Sequence, residues 1–268
     1  MELYTYPVKG CAPVALPRAE VTPAGLRHDR EFLVTGADGV FRSQRRDPRL
    51  AVVRPRVEGD VLHLAADGVE PVAVPIAVDG PRRPVLLFST PYTGVDQGDG
   101  AAEWLSTVLG APSRLVRVPP DHDRHVAGAT PGTSGWADSA AVHLLTRSSL
   151  DDLNARMAEP LPVSRFRPNI VVDDLGGPYA EDGLLLAEIG TARLAHCKPA
   201  IRCAVTLVDQ DKGAKTGKEP LRTLAAYRRH PGGGVAFGTK LSVTRPGAVA
   251  VGDTVTCGEA PPGGGASR

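Results

Sequence analysis

Aromatic residues are scarce in this chain, at 4% of its 268 residues, and 31 basic side chains almost balance 30 acidic ones. So few rings do not provide the stacking platform on which single-stranded nucleic acid binds. A net charge of +1 creates no basic field over the surface, so nucleic acid and anionic membrane are poor candidates as partners. The composition therefore predicts no nucleic acid and no membrane among the partners.

Cysteine and long apolar runs are equally sparse. The four cysteines, Cys11, Cys197, Cys203 and Cys257, show no short paired spacing of the kind that binds zinc. No apolar run approaches the roughly 18 residues that span a bilayer. The first residues lack a charged stretch followed by an apolar core, so no secretory signal is predicted. Few, scattered cysteines and no export signal lead us to expect a cytoplasmic protein.

The arrangement of the hydrophobic residues predicts a mainly β protein with a few helices, of the α+β class. A chain of 268 residues suffices for one large domain or two modest ones. Short β-type runs, several with an internal proline, crowd its first half, which predicts edge or barrel strands. We expect a strand-rich domain over residues 1–112 and a second domain over residues 113–257. Residues 258–268 have the composition of a disordered tail.

Three local patterns predict further elements. Residues 98–110 are typical of a short helix closed by glycine. A second helix is expected over residues 148–157, with Thr146 or Ser148 as its cap. Residues 240–257 are typical of a closing hairpin that turns at Pro246-Gly247.

Cys203 is the first candidate for chemistry. It stands between a proline-interrupted basic turn, residues 198–202, and an apolar β-branched run. A nearby cation favours the thiolate, which is the form that binds metals or acts as a nucleophile, and Arg202 is its neighbour in sequence. The alternative is that Cys203 is a small buried hydrophobe, which is the commoner fate of a free cysteine.

A second group of candidates is cationic or carries an amide. Lys9 lies in a proline–glycine turn that leaves its ammonium group free to reach a ligand. Pro168 is expected to hold Arg167 extended, so that Arg167 and Asn169 point to the same side of a strand. A guanidinium beside a carboxamide suits a phosphate or the edge of a heterocycle. A solvated lysine and a structural salt bridge are the alternatives.

Three arginines around one turn form a further basic group. Arg45, Arg46 and Arg49 flank Asp47-Pro48. A solvated basic face is the usual interpretation of such a group. Its alternative is a site for a phosphate or a carboxylate.

Several different short motifs follow one another along about residues 2–256. They are Tyr6-Pro-Val-Lys-Gly10, Gly25-Leu with Asp29-Arg30, Pro48-Arg-Leu50, His143-Leu-Leu-Thr146 with Ser149-Leu150, Phe166-Arg-Pro-Asn-Ile170, Arg202-Cys203, Val208-Asp209, Glu219-Pro-Leu221 with Tyr227-Arg228, and Val251-Gly-Asp253. In this ordered set the chain resembles the MOSC superfamily, named for the carboxy-terminal domain of molybdenum-cofactor sulfurase. The likeness is to the branch that contains the mitochondrial amidoxime-reducing component and its bacterial relatives.

This resemblance implies a fold, a cofactor and a set of site residues. The fold would be a strand-rich amino-terminal module packed on a β-barrel-like MOSC domain, with molybdopterin bound between the two. Cys203 is similar in position to the catalytic cysteine that supplies the protein ligand to molybdenum. The residues that match those holding the pterin and its phosphate are Lys9, Arg30, Asp138, Ser139, Arg167 and Asn169.

The resemblance also implies an activity and its partners. The implied activity is reduction of N-hydroxylated compounds, such as hydroxylamines, amidoximes and N-hydroxylated bases, by oxygen-atom abstraction at a cysteine-ligated molybdenum. The chain has no cluster-type run of four cysteines, so the electron donor would be a separate protein of the ferredoxin, flavin-reductase or cytochrome type. The superfamily also carries a label of pyridoxal phosphate binding, which extends to this chain as an expectation only.

Two departures from the family pattern and two rival functions accompany the resemblance. Ala200 stands where relatives commonly carry a second cysteine, so Cys197 is expected to belong to the core or to lie behind the metal site. Gly10 follows Lys9 where some relatives place serine. One rival function is a sulfur carrier, with a persulfide on Cys203 that serves metal-cofactor assembly. The other is a cofactor-binding or delivery protein without turnover.

Overall fold

The computed structural model describes residues 1–258. Of the tail expected over residues 258–268, only Gly258 falls inside this range, as the last residue of a strand. Residues 259–268 lie outside the described residues.

Strands dominate the described chain, which confirms the predicted fold class. In chain order they are β1 (Glu2–Thr5), β2 (Val14–Leu16), β3 (Arg18–Thr22), β4 (Gly25–Leu26), β5 (Phe32–Gly36), β6 (Arg54–Glu58), β7 (Val61–Ala66), β8 (Val69–Pro75), β9 (Arg82–Leu87), β10 (Thr90–Asp96), β11 (Ser113–Arg117), β12 (His125–Val126), β13 (Gly132–Thr133), β14 (Val142–Thr146), β15 (Ile170–Val172), β16 (Leu186–Ile189), β17 (Ala192–Arg202), β18 (Val208–Asp209), β19 (Ala214–Lys215), β20 (Val235–Arg245), β21 (Gly247–Ala250) and β22 (Val255–Gly258). The α-helices of this range are α1 (Asp99–Leu109), α2 (Arg147–Ala155) and α3 (Leu221–Tyr227), and short 3₁₀ helices span Pro48–Val52, Val163–Arg165, Ala180–Gly183 and Ala204–Leu207.

The end of α1 and the start of α2 lie at residues whose local chemistry favours those positions. Gly110 follows α1 with a left-handed φ of 68°, a conformation that glycine adopts at little cost and that commonly closes a helix. Thr146 caps α2, because its Oγ1 accepts the N–H of Ser149 at 3.2 Å. Both predicted helices are therefore confirmed, and Thr146 is the cap that the chain uses.

A curled sheet of eight strands forms the larger half of the molecule, in the order β2-β1-β15-β14-β20-β17-β16-β22. Strand β1, from the start of the chain, pairs antiparallel with β15, while β14 and β15 run parallel. One face of this sheet carries a core that includes Leu3, Leu144, Ile170, Leu194 and Leu241. The beginning of the chain is thus built into the same sheet as its second half.

The other half of the molecule has two smaller sheets, β5-β11-β10-β9 and β6-β7-β8. Helix α1 packs on them through Trp104 and Leu105, against Phe32, Leu62 and Leu115. Strand β11 pairs with β5 and β10, so this half extends past residue 112. The chain therefore crosses between the halves more than once. The domain boundary expected at residue 112 stays a prediction.

The closing hairpin predicted over residues 240–257 is wrong. The chain does reverse after Arg245, but β21 pairs with β3 and β22 pairs with β16. A Cβ on Gly247 would lie 2.6 Å from the Thr191 carbonyl carbon, so this segment packs directly against the backbone of the turn between β16 and β17. A turn signal shows where a chain reverses, but it does not show which strand the next segment joins.

Among residues 1–258, none of the helices combines the length and the apolar character that crossing a membrane requires.

Candidate functional site

A cleft that is partly open to solvent lies where the two halves meet. All seven predicted site residues line it: Lys9, Arg30, Asp138, Ser139, Arg167, Asn169 and Cys203. The first half also contributes Gly10, Ser43, Gln44 and Arg45, and the second contributes Phe166, Ile201, Arg202, Val205 and Lys240. The structure therefore brings together predicted site residues that are up to 194 positions apart in the chain, from Lys9 to Cys203, and their individual roles stay predictions.

Lys9 is buried at the floor of the cleft. Its side chain is 8% exposed and pairs with the carboxylate of Asp138, whose side chain is 48% exposed. Its Nζ also donates to the carbonyl oxygen of Trp136 at 2.6 Å. Burial lowers the pKa of Lys9, and Asp138 acts against this shift. Lys9 is thus a buried side chain held by two contacts, contrary to the solvated-turn alternative.

Asp138 is the carboxylate that the cleft walls contribute. Its desolvation favours the neutral form, but the charges of Lys9, Lys240 and Arg45 outweigh this and hold the pKa of Asp138 well below its ordinary value. Asp138 is therefore ionised at neutral pH. Its neighbour Ser139 is half-buried on the same wall.

Two arginines are stacked on one buried tyrosine. The guanidinium carbon of Arg30 lies 4.0 Å from the centre of the Tyr6 ring, and that of Arg167 lies 4.3 Å from it. The Tyr6 hydroxyl donates to the carbonyl oxygen of Pro168 at 3.1 Å. A cation over a ring face is attracted by the ring quadrupole, most strongly when both are desolvated. Tyr6, which the sequence analysis did not assign, therefore positions both guanidinium groups.

The predicted conformation of Arg167 is wrong. Its φ is +56°, a left-handed backbone conformation instead of the extended one expected before Pro168, and strand β15 begins only at Ile170. Its carbonyl oxygen accepts a bond from Arg30 Nη2 at 3.1 Å, and its guanidinium rests on Tyr6. These tertiary contacts override the local preference that proline imposes.

Asn169 is engaged mainly with the protein itself. Its Oδ1 accepts bonds from Arg30 Nη1 and from the backbone N–H of His143, both at 3.1 Å, and its Nδ2 donates to the Tyr4 carbonyl at 3.2 Å. Arg30 in turn forms a buried ion pair with Asp29 at 2.6 Å. Asn169 thus orients Arg30 and fastens β1 to β14.

Cys203 stands where β17 ends and is half-buried at the cleft. The cation on its sulfur is Arg45, whose Nη1 lies 3.3 Å from Sγ. Arg202, expected in that place, directs its Nη2 to the carbonyl oxygen of Phe166 at 2.8 Å. Consecutive residues of a strand project to opposite sides, so a neighbour in sequence is rarely a neighbour of the side chain. The basic turn around Arg45 is therefore part of the site.

Lys240 is a cleft residue that the sequence analysis missed. It lies on β20 opposite His143. Burial, together with the charges of Arg202 and Arg30, lowers the pKa of Lys240 to about 7. An isolated lysine on a strand carries no motif, so only the strand pairing reveals its position.

The cleft has the charge of an anion site. Six basic side chains line it, namely Lys9, Arg30, Arg45, Arg167, Arg202 and Lys240, against the single carboxylate of Asp138. Two of their buried nitrogens, Arg167 Nη2 and Arg202 Nε, have no hydrogen-bond partner among the described residues. Burial lowers the pKa of Arg167 to about 10 and also lowers that of Arg202. Buried donors and uncompensated charge of this kind fit a bound phosphate, and a thiolate beside them fits a soft metal.

The other cysteines do not share this environment. Cys197 is buried with Val126 and Ala140, which agrees with its expected core position. Cys11 is fully buried, and burial raises the pKa of its thiol to about 12. Cys257 is exposed on β22. Within residues 1–258, no group of three or more His, Cys, Asp or Glu side chains lies together in a metal-binding arrangement.

Comparison with known proteins identifies both halves of the chain. Residues 1–112 match the family described as the MOSC N-terminal beta barrel domain, and residues 126–256 match the MOSC domain. The fold, the cleft and these matches define the class, a protein that joins these two domains around one polar cleft.

Relatives that match over most of this chain identify the family within this class. The chain is 32% identical to mitochondrial amidoxime-reducing component 1 of Mus musculus, over 95% of this chain and 80% of the relative. It is 33% identical to mitochondrial amidoxime reducing component 2 of Rattus norvegicus and 31% identical to component 1 of Homo sapiens, in both cases over 95% of this chain and 81% of the relative. The chain belongs to the family of the amidoxime-reducing components. The predicted superfamily is thereby confirmed, while none of these names supports pyridoxal phosphate binding.

Proposed function

We propose that this chain binds a molybdopterin-type cofactor in the cleft and reduces N-hydroxylated compounds. The observation that carries the proposal is the donor set, in which six basic side chains and one half-buried thiol lie with a single carboxylate. The names of the relatives support the reductive activity, and the MOSC domain supports the cofactor.

Different residues of the cleft would bind different parts of such a cofactor. Arg167 and Arg202 offer free N–H groups of the kind that a phosphate ester requires, and Lys240 adds a further basic group to the same cleft. Lys9 is held in place by its pairing with Asp138. Cys203 offers a soft sulfur ligand, and the cofactor would supply two-electron chemistry at molybdenum when bound.

The proposed reaction balances without any oxidant. In an amidoxime the N–O bond breaks, two electrons and two protons are taken up, and an amidine and one water form. The electrons come from a separate donor protein of the ferredoxin, flavin-reductase or cytochrome type. Arg45, whose Nη1 lies 3.3 Å from Sγ of Cys203, would hold this sulfur in place beside the cofactor.

Metal analysis joined to an activity assay tests this function. The protein is purified anaerobically from cells that make the cofactor, and molybdenum per chain is measured beside benzamidoxime reduction with a reduced viologen dye. Cys203→Ala should lose both. Cys257→Ala, a change at an exposed cysteine remote in sequence, should lose neither. Wild-type protein without molybdenum, or undiminished reduction by Cys203→Ala, would contradict the proposal.

The rival functions give different results in the same preparation. A sulfur carrier would show a mass increase of about 32 Da on Cys203 without bound pterin. A delivery protein would hold stoichiometric molybdenum and reduce no N-oxygenated substrate. Cytoplasmic localisation stays a prediction, which fractionation of the source cells tests.

A further inference from the structure

An exposed aromatic residue close to the cleft has an unusual backbone conformation. Phe88 occupies the two-residue turn between β9 and β10, where Leu87 pairs with Thr90. Its φ is +58° and its side chain is 44% exposed. Such turn positions favour Gly, Asn or Asp, because a Cβ is crowded at positive φ. Backbone conformations of this kind persist when the surroundings hold them, and they cluster at functional sites.

The neighbours of Phe88 are one core ring and two side chains of the cleft. Its ring centre lies 4.8 Å from that of Phe41, in an edge-to-face arrangement. The guanidinium carbon of Arg45 lies 5.6 Å from the Phe88 ring centre and Lys9 Nζ lies 5.7 Å from it. Since Arg45 also contacts the sulfur of Cys203, one side chain links the exposed ring to the reacting end of the cleft.

A second exposed apolar side chain comes from the other half of the molecule. Ile201 lines the cleft two residues before Cys203 and is 45% exposed. The remaining cleft wall is mostly charged or polar. Phe88 and Ile201, which we call the apolar rim, therefore offer water-exposed hydrophobic surface next to a site built for charge.

We infer that the apolar rim binds the organic group of the substrate and makes the site selective for N-hydroxylated compounds that carry an aromatic ring on the carbon bonded to the N–OH nitrogen, as benzamidoxime does. The inference rests on the proposed function and specifies the substrate class. An aromatic substrate ring can pack on Phe88 by the same edge-to-face contact that Phe41 makes, and it removes the exposed surface of Ile201 from water. A substrate of methyl size covers little of either side chain.

The test compares benzamidoxime with acetamidoxime in holoenzyme assays driven by a reduced viologen dye. Phe88→Asn removes the ring and suits the positive φ, so its fold is maintained. We expect it to raise the ratio of the benzamidoxime KM to the acetamidoxime KM by about three- to tenfold. Phe88→Tyr keeps an aromatic ring and should show the wild-type KM ratio. Val251→Ala, at another exposed apolar residue, should also leave the KM ratio unchanged. Calorimetric titration with the product benzamidine should show the same loss of affinity in Phe88→Asn.

The possible failures are distinguishable. A wild-type holoenzyme that reduces neither amidoxime overturns the proposed function, and the inference with it. An active wild type whose KM ratio and benzamidine affinity are unchanged in Phe88→Asn overturns the inference alone. If Phe88→Asn raises only the KM for a donor protein, the apolar rim is a docking site for that protein and the inference is also wrong.

Discussion

Replacing Lys240 by methionine should stabilise the cofactor-free protein and weaken its hold on the cofactor. The ordinary lysine pKa of 10.5 falls to about 7 in the cleft, because of burial and the charges of Arg202 and Arg30. At 1.36 kcal/mol per pH unit this corresponds to about 5 kcal/mol against the charged form. The cleft is open to water and methionine loses the attraction of Asp138, so we expect a gain of about 1–3 kcal/mol in the free energy of unfolding at pH 6.

The pH dependence of this gain follows from the direction of the pKa shift. Between pH 7 and pH 10.5 the unfolded chain binds a proton on Lys240 that the folded chain does not, so the wild type becomes more stable as pH rises. Below pH 7 both states are protonated and the full penalty applies. The advantage of Lys240→Met should therefore be greatest at pH 6 and shrink towards pH 10.

Urea denaturation of cofactor-free protein at pH 6, 8 and 10 measures the gain in the free energy of unfolding. Metal analysis of protein from cofactor-competent cells measures the loss of bound molybdenum. Lys240→Met should retain less than half of the wild-type molybdenum, while Lys215→Met, at an exposed lysine on β19, should change neither quantity. A variant that is less stable at pH 6 and keeps its molybdenum would refute the claim that Lys240 belongs to an anion site.

Further predictions concern an arginine, the tyrosine and a glycine. Arg45→Met removes the guanidinium group 3.3 Å from the Cys203 sulfur and with it one basic side chain of the cleft, so protein from cofactor-competent cells should retain less molybdenum than the wild type; a wild-type molybdenum content would show that Arg45 does not belong to the anion site. Tyr6→Leu removes the ring under two guanidinium groups and should cost about 2–4 kcal/mol of unfolding free energy as well as bound molybdenum, whereas Tyr6→Phe should keep most of the molybdenum; equal losses in both variants would contradict the stacking role. Gly238→Ala should destabilise the protein by more than about 2 kcal/mol, because φ is +83° and the new Cβ would lie 2.6 Å from His143 Nε2; a wild-type melting temperature would contradict the packing described.

The residues that sequence alone could identify are those inside ordered motifs. Lys9, Arg30 and Arg167 each stand in a short pattern whose order along the chain resembles one superfamily, and the structure places all three at one cleft. Their environment was not predictable. The left-handed backbone of Arg167 depends on contacts with Tyr6 and Arg30, two residues that lie more than 130 positions away in sequence.

The parts of the site that were missed depend on strand pairing and on loop placement. Lys240 reaches the cleft because β20 lies between β14 and β17, a non-local pairing that hydrophobic periodicity does not reveal. The basic turn at Arg45 could only be described as a solvated face or an anion site, since no local rule brings it to Cys203. The hairpin expected near the end of the chain failed for the same reason, because turn residues do not specify the partner strand.

The central claim is that Cys203 is the protein's ligand to a metal whose phosphate-bearing cofactor fills the cationic cleft. X-ray absorption at the molybdenum edge measures this most directly, on wild-type protein and on Cys203→Ser purified from cofactor-competent cells. We expect one fewer sulfur neighbour of molybdenum in the Cys203→Ser protein that retains metal. The same number of sulfur neighbours in both proteins would contradict it.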